Sequence, residues 1–521
     1  MSTDMTTFDR HDTTNACYVC CDRHADLRPT APALQIVDED RSTTITFGDL
    51  KSRAHAFAQQ LAGLGIKQGD CVAALVSRGA ELTVAALGTW RIGAVFAPLF
   101  TAFGEEAIRH RIDQANVKVL LIEDAFRDKI AAIANLPPVI LATDLGYSSE
   151  SDTAPDRLGE SDAVTPPIGM DLQAPFLRMF TSGTTGKPKS LDVPLRAFAS
   201  IESYMRKGIE LSEEDAFWNL ADPGWAYGLY YGLIGPLMLG KATLYNKRSF
   251  DALSAIEIIR NQHITNLAGS PTAFRMLMAA GPEAMAPIRN QLRLISSAGE
   301  PLTEDIVNWF REHLGVVVRD HYGQTELGMV MIESPSQSGQ ERSDGGLALP
   351  GFTLKIVDED GNEVDTGVVG ELAVDCDASP LFWFAGYRET CPRNEALYRT
   401  GDAAIRTANG RISFFGRTDD VITSSGYRIG PYDVESALME DDRVLEAAVV
   451  GKPDEQRTEI IKAFIVLKPG VAATPSLVEH LKMHVRKRLS AHAYPREIEF
   501  VPHLPKTPSG KIMRNALKNA A

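Results

Sequence analysis

The sequence predicts an α/β protein. Its large N-terminal domain combines mixed parallel sheets and covering helices with a β-rich subdomain, and a small α+β C-terminal domain follows. Three observations carry this expectation. Buried apolar strands alternate with amphipathic helices in the first part of the chain. Near residue 345 the texture changes to short strands and tight turns, and near Asp419 it changes again.

The elements follow in order. Leu50, Ala54, Phe57, Ala58 and Leu61 mark one face of a helix, and Cys71 to Val76 reads as the buried strand after it. Val117 to Ile122 is a second such strand, again preceded by a helical pattern, so the sheet is expected to be largely parallel. Ser148 to Gly169 is rich in Ser, Asp, Pro and Gly and reads as a surface connection within this domain. Leu354 to Val364 predicts a hairpin turning at Asp360-Gly361, and a second hairpin is expected to turn at Asn409-Gly410. Ala447 to Val450 and Ala463 to Leu467 read as strands. Leu477, Leu481, Val485 and Leu489 line one face of a helix ending before Pro495. The expected division is 1–418, with the β-rich part at about 345–418, and 419–521.

Composition bounds the function. The 521 residues are 44% hydrophobic and 23% charged, enough for a large core and at least two domains. A net charge of −15 argues against a protein that grips nucleic-acid phosphates. Six cysteines do not make a disulfide scaffold. Cys17, Cys20 and Cys21 lie near His24 but lack the second pair that a zinc site would want, so they read as packing residues. Met1 to Asn15 is polar and carries no signal-peptide pattern, and no apolar run reaches the length of a membrane span. A soluble, cytoplasmic protein is expected.

Three segments carry chemistry. Thr181-Ser-Gly-Thr-Thr-Gly-Lys-Pro-Lys189 follows the strand-like Pro175 to Phe180. Its glycines let backbone approach an anion, and its hydroxyls and lysines can donate to phosphate oxygens; a solvated turn is the alternative. Pro188 after Lys187 excludes a Walker loop. In the hairpin at Asn409-Gly410, a two-residue turn makes residues whose numbers sum to 819 face one another, which sets Asp402 opposite Arg417. That pair could clasp a vicinal diol or form a plain cross-strand ion pair. The third segment is the Pro- and Gly-bounded tail loop holding Lys511.

Together with Tyr322-Gly-Gln-Thr-Glu326, Tyr398-Arg-Thr-Gly-Asp402, Gly416-Arg-Thr-Asp-Asp420, Ser425-Gly-Tyr-Arg428 and Pro508-Ser-Gly-Lys511, the loop Thr181–Lys189 resembles the ordered motifs of the adenylate-forming superfamily. That superfamily comprises acyl-CoA synthetases, adenylation domains and firefly-type luciferases. The resemblance runs from about residue 30 to the C-terminus. Asn15 to His24 and Trp218 to Trp225 further resemble acetyl-CoA and medium-chain acyl-CoA synthetases. Ser190 departs from the pattern, which usually continues with glycine.

The resemblance implies a two-step reaction: a carboxylate attacks the α-phosphate of MgATP, then the thiol of coenzyme A displaces AMP. It implies a pyrophosphate loop of Thr181, Ser182, Gly183, Thr184, Thr185, Gly186 and Lys187. Gly299, Glu300 and Pro301, with Asp320, His321, Tyr322, Gly323 and Gln324, would border the nucleotide. Thr325 would meet the α-phosphate, Glu326 would bind Mg²⁺, and Asp402 and Arg417 would take the ribose. Lys511 would serve the first half-reaction. A mobile C-terminal domain turning about Asp419 would then bring Ser425, Gly426 and Tyr427 to CoA and Arg428 towards phosphate. The tail loop also resembles a segment recognised by protein acetyltransferases, which would neutralise Lys511.

The expected enzyme is a monomeric or homodimeric AMP-forming ligase for a short- to medium-chain, possibly branched, acid. The alternatives are a stand-alone adenylation enzyme loading an aryl or other acid onto a carrier protein, an acetyl/propionyl-CoA synthetase, and an ATP-binding scaffold without catalysis. No carrier domain after Lys511 and Ala226-Tyr227 where an amine-binding aspartate would stand favour the ligase. The acyl pocket is expected at Trp225, Ala226, Tyr227, Ala298 and Gly323. Acetyl-CoA synthetases carry tryptophan at the position of Gly323, so the glycine is expected to vacate an indole-sized volume and admit an acid larger than acetate.

Overall fold

Strands rich in Val, Leu and Ala, buried on both faces, build the first sheet. The computed structural model describes residues 15–39, 41–145, 166–181, 188–333, 345–390, 392–424, 427–454, 457–489, 492–506 and 512–520. Across this sheet the order is Val139–Leu141, Val117–Ile122, Cys71–Leu75, Val95–Pro98, Pro175–Thr181, Lys189–Pro194. The pairings are parallel except the last, which is antiparallel and sets Thr181 opposite Lys189. Helix Phe47–Gly63 covers the sheet and starts at a capping box, with Thr46 and Asp49 each accepting the other's backbone N–H. The expected connection Ser148–Gly169 lies mostly outside the described residues.

A second sheet orders Leu347–Ala348, Gly328–Ile332, Val318–Gln324, Leu294–Ala298, Asn266–Gly269 and Phe217–Asn219. It is parallel through its last four strands and antiparallel where Val318–Gln324 meets Gly328–Ile332. A short sheet of Thr243–Asn246, Pro32–Asp38 and Arg41–Thr46 lies apart from these two.

The β-rich part is a four-stranded antiparallel sheet of Leu354–Val357, Val369–Asp375, Leu397–Arg406 and Ile412–Arg417. The chain turns at Asp360-Gly361 as expected: Asp358 N–H donates to Asn362 O and Val364 N–H to Ile356 O (both 2.9 Å), and Glu363 bridges Val357, while Leu354–Val357 also pairs with Val369–Asp375. The second hairpin closes over three residues, since Thr407 N–H donates to Arg411 O (2.8 Å) and Gly410 N–H to Thr407 O (2.9 Å). Its pairs near the turn, Arg406 with Ile412 and Ala404 with Phe414, therefore sit one residue from the expected register. A bulge that skips Phe415 restores it, and Asp402 faces Arg417 after all.

The C-terminal sheet joins Tyr427–Ile429, Ile422–Ser424, Thr458–Leu467 and Val444–Asp454, with Glu497–Phe500 parallel to Thr458–Leu467. Helices Pro431–Met439 and Pro475–Arg488 pack on it. The buried apolar clusters divide between Ile412 and Ile422: those before and those after share no residue. At the N-terminal end, Cys17, Cys20 and Cys21 are buried, and Cys17 Sγ lies 3.6 Å from both members of the Asp22–Arg91 ion pair. Among the described residues no helix is long and apolar enough to cross a membrane.

Candidate active site

A cleft of about 1580 Å³ runs between the two large sheets, the β-rich sheet and the C-terminal domain. Asp402 is its structural centre. The side chain is 5% exposed and accepts three donors: Tyr322 Oη and Gln324 Nε2 (2.7 Å) on Oδ2, and Arg417 Nη1 (3.2 Å) on Oδ1. Gln324 also donates to Thr400 O (2.9 Å) and accepts from Tyr398 Oη (2.9 Å), so its amide orientation is fixed by the network. Burial raises the Asp402 pKa, and the three donors work against that rise. Arg417 Nε further reaches Asp419 Oδ1 at 3.4 Å.

Glu326 follows Thr325 on the turn between Val318–Gln324 and Gly328–Ile332. It is 8% exposed, and its Oε1 accepts from Tyr387 Oη at 2.7 Å. Tyr230 Oη donates to Thr325 O at 3.1 Å, fixing the turn backbone. Among the described residues no three His, Cys, Asp or Glu side chains form a metal cage. Mg²⁺ usually takes one or two protein carboxylates and completes its shell with phosphates and water, so it needs no such cage. Glu326 therefore fits the ion in its chemistry.

Elsewhere on the cleft wall, Glu300 Oε2 accepts from Thr272 Oγ1 (2.7 Å) and Arg275 Nη2 (3.2 Å), and Gly299 sits at φ +93°, a conformation glycine adopts freely. The ring of Tyr322 lies 5.7 Å from that of Phe414. His321 borders the cleft, yet it is 2% exposed and both ring nitrogens are spent inside the protein. Nε2 faces Glu333 O at 3.1 Å and must donate to it, so Nδ1 accepts from Tyr204 Oη at 2.7 Å. His321 thus stands at the cleft as expected, with its imidazole held inside the protein, where it supports the strand from behind.

Two pocket expectations also change. Ala298 is 1% exposed in the core and does not reach the cleft wall. Gly323 borders the cleft but vacates no indole-sized space, because a Cβ there would lie 2.2 Å from Gly328 O and 2.7 Å from Met329 Cα. The register shift between Tyr322 and Gly323 presses the two backbones together. Trp225, Ala226 and Tyr227 do line the cleft. Trp225 is held by Phe100 and Phe103 at 5.3 and 5.7 Å between ring centres, and Tyr227 Oη lies 3.4 Å from Tyr204 Oη.

Ser182 to Lys187, Ser425, Gly426 and Lys511 lie outside the described residues, as do the side chains of Tyr427 and Arg428. Lys506 and Ile512, which flank Lys511 and bridge one another, both line the cleft. Tyr387, Tyr398 and Thr400 carry much of the network, and the sequence reading assigned none of them a role. The available signal was the aromatic run Phe382-Trp383-Phe384 with Gly386-Tyr387 after it.

The chain matches the family model of AMP-binding enzymes over residues 21–379 and that of the AMP-binding enzyme C-terminal domain over 433–511. It is 35% identical over 518 residues to the acetyl-coenzyme A synthetase of Bacillus subtilis (strain 168), covering 97% of this chain and 90% of that one. Among solved structures, a Brucella canis acyl-CoA synthetase is 47% identical with a TM-score of 0.75, covering 98% of this chain and 94% of the other. The anthranilate CoA ligase AuaEII in complex with anthranoyl-AMP is 25% identical with a TM-score of 0.86, covering 99% of both chains.

Two outcomes are expected. Gly323→Ala should lower the stability of the protein by about 1–3 kcal/mol or more, read as a drop in thermal midpoint, because the neighbouring backbone has to move. Burial holds the His321 pKa down to about 4, below its ordinary 6.5. The unfolded chain then binds the proton first, so stability present above pH 6.5 is lost as pH falls towards 4. The loss is about 1.4 kcal/mol per pH unit for one such group; His24, also held at about 4, adds a second. Urea unfolding between pH 7 and 5 should therefore show a shallower pH dependence in His321→Asn than in wild type.

Proposed function

From the premise that the chain belongs to the AMP-binding enzyme family, we propose that it is an ATP-dependent acyl-CoA ligase acting on a short- to medium-chain carboxylic acid. The observation that carries this is the convergence of Asp402, Arg417, Thr325 and Glu326 on one cleft, with the flanks of Lys511 on its C-terminal wall. In the first half-reaction a carboxylate oxygen bonds to the α-phosphorus and the bond to pyrophosphate breaks. In the second, the CoA sulfur bonds to the acyl carbon and the carbon–oxygen bond to AMP breaks.

A carboxylate and a polyphosphate repel, so the protein's work is positioning and charge compensation. Thr181 to Lys187 would cradle the departing pyrophosphate. Gly299 to Pro301, Asp320 and Tyr322 would border the adenine, and Asp402 with Arg417 would take the ribose hydroxyls. Three lone-pair positions of Asp402 are already filled by protein donors, so ribose would use the remaining one or displace a donor. Glu326 would hold Mg²⁺, which neutralises phosphate charge when bound. Lys511 would bridge the two anions. The division of the apolar clusters between Ile412 and Ile422 supports a C-terminal unit starting at 419. Turning about Asp419, that unit would exchange Lys511 for Ser425 to Arg428 in the CoA step.

The acid would lie against Trp225, Ala226 and Tyr227. Ala226 leaves room, whereas Tyr227 and the closed backbone at Gly323 limit depth. Those two features favour a second reading, an acetyl/propionyl-CoA synthetase, over a long-chain enzyme. An acetyltransferase acting on Lys511, the cytoplasmic site of action and the oligomeric state belong to this proposal and rest on the sequence alone.

Incubation with ATP, CoA and an acid panel should release AMP and pyrophosphate; ADP as product, or no CoA dependence with any acid, overturns the reading. Lys511→Ala should abolish adenylate formation while sparing CoA thiolysis of pre-made acyl adenylate. Equal loss of both half-reactions would remove the assignment. Across straight-chain acids, Ala226→Leu should shift the kcat/KM optimum to shorter chains, at about 1–3 kcal/mol per methylene. An unchanged profile would take Ala226 out of the acyl pocket.

A further inference from the structure

Both ends of the phosphate-loop hairpin and the candidate metal carboxylate meet on one side chain. Tyr387 Oη donates to Glu326 Oε1 at 2.7 Å, and Thr181 lies within electrostatic reach of the same phenol. From the other end of the loop, Lys189 Nζ sits 4.9 Å above the Tyr387 ring centre.

The residues around Tyr387 fasten it to the hairpin. Tyr387 bridges Leu191 in antiparallel fashion, and Arg388 N–H donates to Ser190 O at 3.0 Å. Ser190, where the resembling motifs carry glycine, is fully buried. Its N–H (3.0 Å) and its Oγ (2.5 Å) both donate to Glu389 Oε1. A glycine would lack the second of these bonds. The segment Tyr387 to Glu389 is therefore a strap laid across the base of the loop.

We propose that Tyr387 is a positioning residue for adenylate formation: held by the strap, it ties the mouth of the phosphate loop to Glu326 and fixes that carboxylate through Oε1, leaving Oε2 for the metal of MgATP. The inference rests on the reading of Glu326 as the metal carboxylate. Its consequence is specific to the first half-reaction, because the pyrophosphate that the loop would hold has departed when CoA attacks.

The test compares wild type, Tyr387→Phe and Glu326→Gln by calorimetric titration with ATP, with and without Mg²⁺, alongside thermal midpoints and both half-reactions. In Tyr387→Phe the affinity gain that Mg²⁺ confers on ATP should shrink about tenfold, and pyrophosphate exchange should fall by a similar factor. Thiolysis of pre-made acyl adenylate should stay at its wild-type rate, while the thermal midpoint falls by no more than the loss of one hydrogen bond accounts for. A wild-type Mg²⁺ gain in Tyr387→Phe, with Glu326→Gln having lost it, overturns the inference and leaves the metal reading standing. A Mg²⁺ gain retained in Glu326→Gln overturns the metal reading and the inference with it. Parallel loss of both half-reactions and of thermal midpoint reduces Tyr387 to a packing residue and overturns the inference. Should Tyr387→Phe fail to fold, Ser190→Ala loosens the strap from its far end. It should raise the KM for MgATP about threefold while sparing thiolysis, and an unchanged KM overturns the strap.

Discussion

The buried carboxylate of Asp402 is the constraint on which the cleft depends. Its three donors come from two sheets: Tyr322 and Gln324 from the strand Val318–Gln324, and Arg417 from the strand paired with its own. Hydrogen bonds to a charged acceptor are worth about 1.5–3 kcal/mol each. Removing the acceptor would strand the Tyr322 phenol and take one bond each from Gln324 and Arg417, which keep Thr400 O and Asp419 as partners. The carboxylate therefore sets the spacing between the parallel sheet that presents Thr325 and Glu326 and the β-rich sheet that leads into the C-terminal domain. Arg417 sits at that exit, sharing its guanidinium between Asp402 and Asp419.

How much of this was legible in the sequence varies with the length scale of the cause. Strand and helix identity depends on apolar periodicity within a dozen residues, and Cys71–Leu75, Phe47–Gly63 and Pro475–Arg488 stand where the pattern predicts them. The facing of Asp402 and Arg417 was reached from a two-residue turn, whereas the turn has three residues and a bulge cancels the difference. A bulge is set by how the strand twists against its neighbours, which local composition does not encode. Gly323 illustrates the opposite failure. Substituting small for large suggests space only if the neighbours stay still, and here the antiparallel strand has moved in against the glycine. Tyr387 escaped notice for a third reason. Its partners, Thr181, Lys189 and Glu326, are far away in sequence, and no spacing rule links them.

The choice of donors around the cleft has its own logic. Tyr322 holds Asp402, Tyr387 holds Glu326, Tyr230 holds the carbonyl of Thr325, and Tyr398 holds Gln324. Burial raises the pKa of each of these phenols, so each remains a neutral donor. A lysine in the same place would also satisfy a carboxylate, but it would cancel the charge that a metal ion needs. It would also commit a cation that a polyphosphate could otherwise claim. Phenols orient the acids without neutralising them. Lys189, stacked on a ring rather than paired with a carboxylate, keeps its charge available at the mouth of the loop. The aromatic density of the cleft is thus an electrostatic arrangement as much as a packing one. Glu326 is oriented by a neutral phenol, whereas Asp402 shares its charge with Arg417.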